Sequence, residues 1–283
     1  ILMFAAEVLS FAAFNFPILS LPLLAAAGFG TLYLSLRRPE WGIYILFGEL
    51  FFGSRGHLLE YDLGFVSVSL RLVIFAVVFI VWMLRFPVWK LEIVSLRKIP
   101  RRGRNWKFRI LYLLLLLVIC IGIANGYLHG NSLANIFNDA NGYLYLLILP
   151  AVVSIIKTRE QVENLLQILA AAIVVIAIKT LLLFLWFTFG FPGVGSVYHW
   201  IINQDFGEIT GDVGSASRIF MQSQFYSLVG LFIFAFREKK NWLVISAALL
   251  SVIMSLSRSF WLGAVAAGLF VIVVGLWHFR ANF

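Results

Sequence analysis

Two arginines stand where long apolar runs begin: Arg218 in SASRIFMQSQF and Arg258 in SLSRSFWLG. Hydroxyls surround both, with Ser215 and Ser217 beside the first and Ser255, Ser257 and Ser259 beside the second. A charge at an apolar segment is costly, and its default reading is functional. A guanidinium fork matches phosphate oxygens bidentately, and hydroxyls can share in holding the anion. Gln222 lies four residues after Arg218 and shares its face on a helix, whereas Gln224 falls on a different face. Arg218, Gln222, Arg258, Ser257 and Ser259 are therefore the candidate phosphate- or diphosphate-binding set. The competing reading is that each arginine merely snorkels to water from a helix end.

The stretch leading into Arg218, GFPGVGSVYHWIINQDFGEITGDVGSASR (190–218), holds His199, Asp205, Glu208 and Asp212. A lone loop histidine is more often solvated than catalytic, and His199 gains weight because the three acids follow it in the loop next to Arg218. Lys179 lies deep in the run IAIKTLLLF and either lines a polar cavity or marks a tilted helix. Glu7 and Glu49 sit in apolar runs and read as interhelical hydrogen-bond partners; Arg71 opens a helix, and Arg55, His57 and His129 fall in loops. The one cysteine, Cys120, makes no intrachain disulfide and points to no metal. No Walker loop, dinucleotide-binding glycine pattern, HExxH or GxSxG is present, so neither a metal nor a cofactor is expected.

The elements that must position these residues are membrane helices. Of 283 residues 62% are hydrophobic and 12% charged, with mean hydropathy +0.97. Soluble domains sit near half apolar and a quarter charged. Several runs approach the ~20 apolar residues that cross a bilayer, and the period-two alternation of a membrane barrel is missing. The expected class is all-α: a polytopic bundle of about ten helices near 1–15, 17–36, 40–53, 69–84, 109–127, 141–156, 164–189, 219–236, 241–256 and 259–277. Residues 1–283 read as a single transmembrane domain. The chain starts at Ile1 inside an apolar segment and ends at Phe283 just after another, so it is expected to be a piece of a longer membrane domain.

Basic residues fix the expected orientation. Arg37 and Arg38, the cluster from Arg85 to Arg109, Lys157 and Arg159, Arg237 with Lys239 and Lys240, and Arg280 all follow even-numbered runs. The positive-inside rule puts those ends, and the N-terminus, in the cytoplasm. The net charge of +9 is then a topology signal facing anionic lipid, not a nucleic-acid footprint. Loops 54–69, 129–142 and 190–218 fall on the outer side, with 129–142 polar enough to lie at the interface. Runs 219–236 and 259–277 both go inward from the outer face, so both present helix N-termini, which favour anions, beside Arg218 and Arg258.

SLSRSFWLGAVAAGLFVIV (255–273) resembles the segment of the O-antigen ligase and polymerase superfamily in which an S-x-S-R motif opens an apolar helix. SASRIFMQSQFYSLVGLFIFAF (215–236) is similar to the arginine-bearing helix two spans earlier in that family. The resemblance covers mainly 190–277. It implies a metal-independent membrane glycosyltransferase that moves a glycan from an undecaprenyl-diphosphate carrier to a glycan, lipid or protein acceptor, as in lipopolysaccharide and other cell-envelope polysaccharide biosynthesis. It assigns Arg218 and Arg258 to the carrier's diphosphate. It also implies a general base for the acceptor and a large outer loop with a functional histidine after the S-x-S-R helix, which would fall beyond Phe283; His199, Asp205, Glu208 and Asp212 are the fallback base candidates here and match no motif of the family.

Two other classes compete. A transporter of an anion or lipid-linked sugar would carry polar groups near the midplane, for which Lys179 is the main candidate. A non-catalytic assembly subunit would leave Arg218 and Arg258 in separate places facing lipid headgroups.

Overall fold

The computed structural model describes residues 2–54, 56–62, 64, 67–85, 105–211, 217–237 and 239–281. Arg55, Asp212, Ser215, Glu238 and most of the basic stretch after the fourth run lie outside them.

Among the described residues the fold is helical apart from two small hairpins. Helix α1 (Leu2–Asn15) is followed by a 3₁₀ turn at Pro17–Leu19, α2 (Ser20–Arg37) and α3 (Pro39–Phe52). Strands β1 (Glu60–Asp62) and β2 (Ser67–Ser69) pair antiparallel and lead into α4 (Leu70–Arg85). Then come α5 (Asn105–Leu128), α6 (Leu133–Leu144), α7 (Leu149–Ile155), α8 (Arg159–Phe189) and α9 (Val194–Asn203). Strands β3 (Gly207–Thr210) and β4 (Arg218–Met221) form the second hairpin, before α10 (Gln224–Ala235), α11 (Trp242–Met254) and α12 (Arg258–Ala281).

Four helical spans among the described residues are long and apolar enough to cross a membrane: Pro17–Arg37, Ile110–Leu128, Leu133–Ile155 and Arg159–Phe189. Their large side chains, such as Phe29, Leu117 and Val118, project outward as lipid-facing residues do. The chain is thus built as a membrane protein. Helices α1, α10 and α11 are apolar but shorter.

Helix α8 is the central post. Thr158 and Gln161 close its start with a capping box: the Thr158 hydroxyl accepts from the Gln161 amide (3.2 Å) and the Gln161 carboxamide accepts from the Thr158 amide (3.0 Å). Gly190, left-handed at φ 64°, ends it. Its buried face (Leu169, Ala172, Ile173, Ile176) meets α3, α10 and α11. Gly230 lets α10 lie directly against Ile173, where any Cβ would collide. By contrast none of the α5 span is buried.

Contacts across the bundle sort the helix ends into two groups. At one end the Trp82 indole donates to Ser154 Oγ (2.7 Å), Tyr44 meets the start of α8, and Arg237 pairs with Glu163. Arg37 and Arg85 end helices at this end, and Lys157 and Arg159 flank the start of α8 there. Both hairpins and α9 lie at the other end.

The structure corrects four boundaries. The run expected as helix from 219 starts only at Gln224, because Arg218–Met221 pairs with Gly207–Thr210 as a strand. The run expected from 164 begins at Arg159, where the capping box lies. The run expected over 141–156 is broken by a 3₁₀ turn at Tyr145–Ile148, and its first helix starts at Leu133, inside the stretch expected to be a loop. There Ser132 Oγ accepts from the Asn135 amide and so nucleates α6. The loop expected over 190–218 contains α9 and a hairpin.

Candidate functional site: the hairpin before α10 and the start of α12

The hairpin strands alternate. Gly207, Ile209, Ile219 and Met221 are buried, while Glu208, Thr210, Arg218 and Phe220 share the opposite face. Thr210 pairs with Arg218 and Glu208 with Phe220, so Glu208 and Arg218 are diagonal neighbours. A Cβ on Gly207 would run into the Phe220 carbonyl, so only glycine allows the strands to come this close. Phe206, just before β3, anchors the hairpin edge-on to Trp200 (5.1 Å between centroids).

Two polar links seat this unit on the bundle. The Gln224 carboxamide donates to Thr180 Oγ1 (3.1 Å) and accepts from the Met221 amide (3.2 Å), joining α8, β4 and α10. Next to Thr180, Lys179 pairs with Glu7 of α1 at 2.6 Å, and its ammonium sits over the rings of Phe206 (4.8 Å) and Trp200 (5.6 Å). The Trp200 indole donates to Ser10 Oγ (3.1 Å). Glu7 is thus an interhelical partner, as expected, and Lys179 is its counter-ion. Glu49 has the same role: Arg71 grips it bidentately (2.6 and 3.2 Å) and donates to the Ser54 carbonyl (2.6 Å). Arg71 is therefore a buried ion-pair partner as well as a residue of the first turn of α4.

Arg218 is only partly engaged. Its nearest contact with Glu208 is 3.7 Å, and that carboxylate is largely exposed. Such an exposed pair contributes ~0–1 kcal/mol. Its Nε is buried and has no hydrogen-bond partner among the described residues. A buried N–H without an acceptor is costly, which makes an anion there favourable.

The second arginine begins α12. The Ser255 hydroxyl donates to the Val252 carbonyl (2.7 Å) and accepts from the Ser257 amide (3.4 Å), while Leu256 takes a left-handed φ of 45°. The Trp261 indole closes the turn onto the same Val252 carbonyl (2.9 Å). This chemistry explains the S-x-S pattern: Ser255 and Ser257 are buried and shape the bend, leaving Arg258 and Ser259 exposed on the first turn of α12. Phe260, in that same turn, meets Phe220 of β4 edge-on at 5.6 Å. Phe220 and Arg218 share a strand face, so this contact brings the two arginine-bearing segments side by side.

Other expected residues are placed as follows. Arg218 lies on a strand and Gln222 in the turn after it, with the Gln222 amide donating to the Phe206 carbonyl (3.0 Å). The expected shared helix face of Arg218 and Gln222 therefore does not exist. Glu208 is the base candidate that lies beside Arg218. His199 is exposed on α9 against Tyr198. Asp205 occupies a left-handed position (φ 52°) at the start of the hairpin. Asp212 lies outside the described residues. Sequence reasoning passed over Gln224 and Thr180 as a linked pair; a carboxamide at the head of an apolar helix was the available signal.

Where the chain enters β1, His57 Nδ1 bonds Glu60 Oε2 at 2.9 Å, and this bond holds the Glu60 carboxyl below its ordinary range against partial burial. No group of three or more His, Cys, Asp or Glu side chains able to hold a metal occurs among the described residues. No protein-family model, curated protein or solved structure matches the chain.

Proposed function

We propose that this chain is a multi-pass plasma-membrane glycosyltransferase. It moves a glycan from an undecaprenyl-diphosphate carrier to an acceptor hydroxyl at the outer face. The observation that carries the proposal is the Phe220–Phe260 contact, which sets Arg218 and Arg258 on adjoining segments at the bundle end opposite the basic one. Under the positive-inside rule that end faces outward and the N-terminus is cytoplasmic. Counting the short helices, the chain makes about ten passes.

Helix length supports a wet site at that end. Helix α10 has 12 residues, or ~18 Å, against a hydrocarbon core of ~30 Å. The hairpin above it therefore dips to membrane depth. Non-helical backbone at that depth persists where it is packed in protein or lines an aqueous cavity. Arg218 on this hairpin is placed to reach a carrier headgroup from the side.

The chemistry follows from charge. The two guanidinium groups hold the diphosphate and stabilise the negative charge that grows as the anomeric C–O bond to phosphate breaks. The acceptor oxygen forms the new bond to the anomeric carbon, and undecaprenyl diphosphate leaves. The acceptor proton passes to a base. Glu208 is the carboxylate in place for this once the diphosphate displaces it from Arg218.

The transporter reading leans on Lys179. That residue lies 20 positions after Arg159, ~30 Å along α8, and its charge is met by Glu7 beneath an aromatic cover. The charge is thus already paired and covered, unlike the open polar site near the midplane that transport favours.

The test is transfer by the protein reconstituted in vesicles, with a labelled undecaprenyl-diphosphate glycan as donor. Arg258→Ala is expected to abolish transfer while insertion stays intact. Full transfer by that variant, or donor flux across vesicles without transfer, refutes the proposal.

A further inference from the structure

Helices α5 and α6 form a helical hairpin that leaves a slot between them. Gly130, left-handed at φ 77°, makes the turn. Just beyond it the helices touch: a Cβ placed on Gly126 would stand 3.4 Å from Ile136. One turn earlier on α5 they have parted, and a Cβ on Gly122 would meet nothing within 4 Å. The far end is pinned again where the Tyr112 hydroxyl donates to the Leu146 carbonyl (3.0 Å). Between these pins, 14 residues of α5 span ~21 Å. The slot is open along one side and has a volume of about 890 Å³.

The two walls are chemically opposite. The α5 wall is aliphatic, with Val118 at its middle. The α6 wall carries Asn135, Asp139 and Tyr143, spaced four apart and so stacked on one face at ~6 Å intervals, with Asn131 in the turn just before the Ser132 cap. The side chains of Asn131, Asn135 and Asp139 make no hydrogen bond to another described residue. Hydrocarbon alone in the slot leaves amides and a carboxylate unmet, which is expensive at membrane depth. Water alone wets the aliphatic wall. An amphipathic molecule satisfies both.

The polar wall also selects the headgroup. Carboxamides need donors and acceptors together, and Asp139 needs a donor. Every phospholipid brings a phosphate, which Asp139 repels, and the single ammonium of phosphatidylethanolamine can meet Asp139 but not the two carboxamides as well. The several hydroxyls of a sugar both donate and accept, and so can meet all three side chains. We propose that the α5–α6 slot binds a lipid with a polyhydroxylated, sugar-type headgroup, its hydroxyls on Asn131, Asn135 and Asp139 and its chain along α5. This site is separate from Arg218 and Arg258 and does not depend on the transferase reading.

The experiment is native mass spectrometry of the whole chain released from membranes of equal parts glucosyl-diacylglycerol, phosphatidylethanolamine and phosphatidylglycerol. The wild type is expected to retain the glucosyl lipid at least tenfold over the other two. The double variant Asn135→Leu/Asp139→Leu is expected to lose that preference. So is Gly122→Phe, which fills the slot from the α5 side and leaves the polar wall untouched; it decides the matter even if the double variant fails to insert. Equal retention of the three lipids, preference for either phospholipid, or a preference that survives Gly122→Phe overturns the proposal. Arg258→Ala is expected to keep the lipid preference while losing transfer, so failure of either reading shows separately.

Discussion

The phenyl ring of Phe220 stands edge-on to that of Phe260, 5.6 Å away, and ties the strand bearing Arg218 to the helix opened by Arg258. The residues are 40 positions apart, and helices α10 and α11 run between them. Aromatic pairs of this geometry contribute ~0.5–1.5 kcal/mol beyond the area they bury. Replacing Phe220 or Phe260 by Leu keeps most of that area and removes the ring contact. Each variant is expected to lower transfer several-fold with the bundle intact, and the double variant to cost little more than either single one. Additive losses in the kinetic cycle would show that the rings do not act together.

The Lys179–Glu7 pair tests how the hairpin is held. Both side chains are about nine-tenths buried. Removing one member of a buried pair strands the other charge, at ~3–5 kcal/mol, whereas replacing both by apolar groups of similar size is often neutral. Glu7→Leu and Lys179→Met should each lower the thermal midpoint sharply in detergent, and the combined variant should recover most of the loss. Equal losses in all three would mean that the pair carries no such coupling.

Gln224 bridges Thr180 and the Met221 amide. Gln224→Ala leaves two buried groups unmet, each costing ~1–3 kcal/mol. The effect should be local: amide exchange in β3 and β4 accelerates, while exchange in the middle of α8 holds. Uniform acceleration across the protein would place Gln224 in the global core instead.

The His57–Glu60 bond carries a pH signature. Glu60 has its carboxyl depressed in the folded protein, chiefly by the His57 hydrogen bond. A depressed carboxylate contributes stability above its unfolded pKa, about 4.3, and that contribution is lost as pH falls through the lower folded value. Thermal midpoints of wild type and Glu60→Gln should therefore differ at pH 6 and converge as the pH drops below about 4. A difference that widens on acidification contradicts the assignment.

How much of this was readable beforehand depended on the range of the interaction. The apolar runs and the basic residues closing alternate ones were legible because hydropathy and charge are local, and the two bundle ends follow them. The helix caps at Ser132 and Thr158 were equally local, though their consequence for α6 and α8 was missed. Strand β4 was not legible: IFMQSQFYS runs without a break from Arg218 into α10, and only pairing with β3 makes it a strand. The partners of Glu7 and Glu49 lie 172 and 22 positions away, and no spacing rule identifies them. The serines of SLSRS looked like anion ligands, yet Ser255 proved to be a bend-former, because a hydroxyl next to an unpaired helix-end carbonyl bonds it first.

The central claim is that one diphosphate engages Arg218 and Arg258 together. The measurement that tests it most directly is the affinity of undecaprenyl diphosphate for the wild type, Arg218→Ala, Arg258→Ala and the double variant, reconstituted in the same membrane. A shared clamp predicts that each single variant loses at least tenfold in affinity and that the double variant loses little beyond the worse single one. Wild-type affinity in either single variant, or losses that simply multiply in the double, would contradict it.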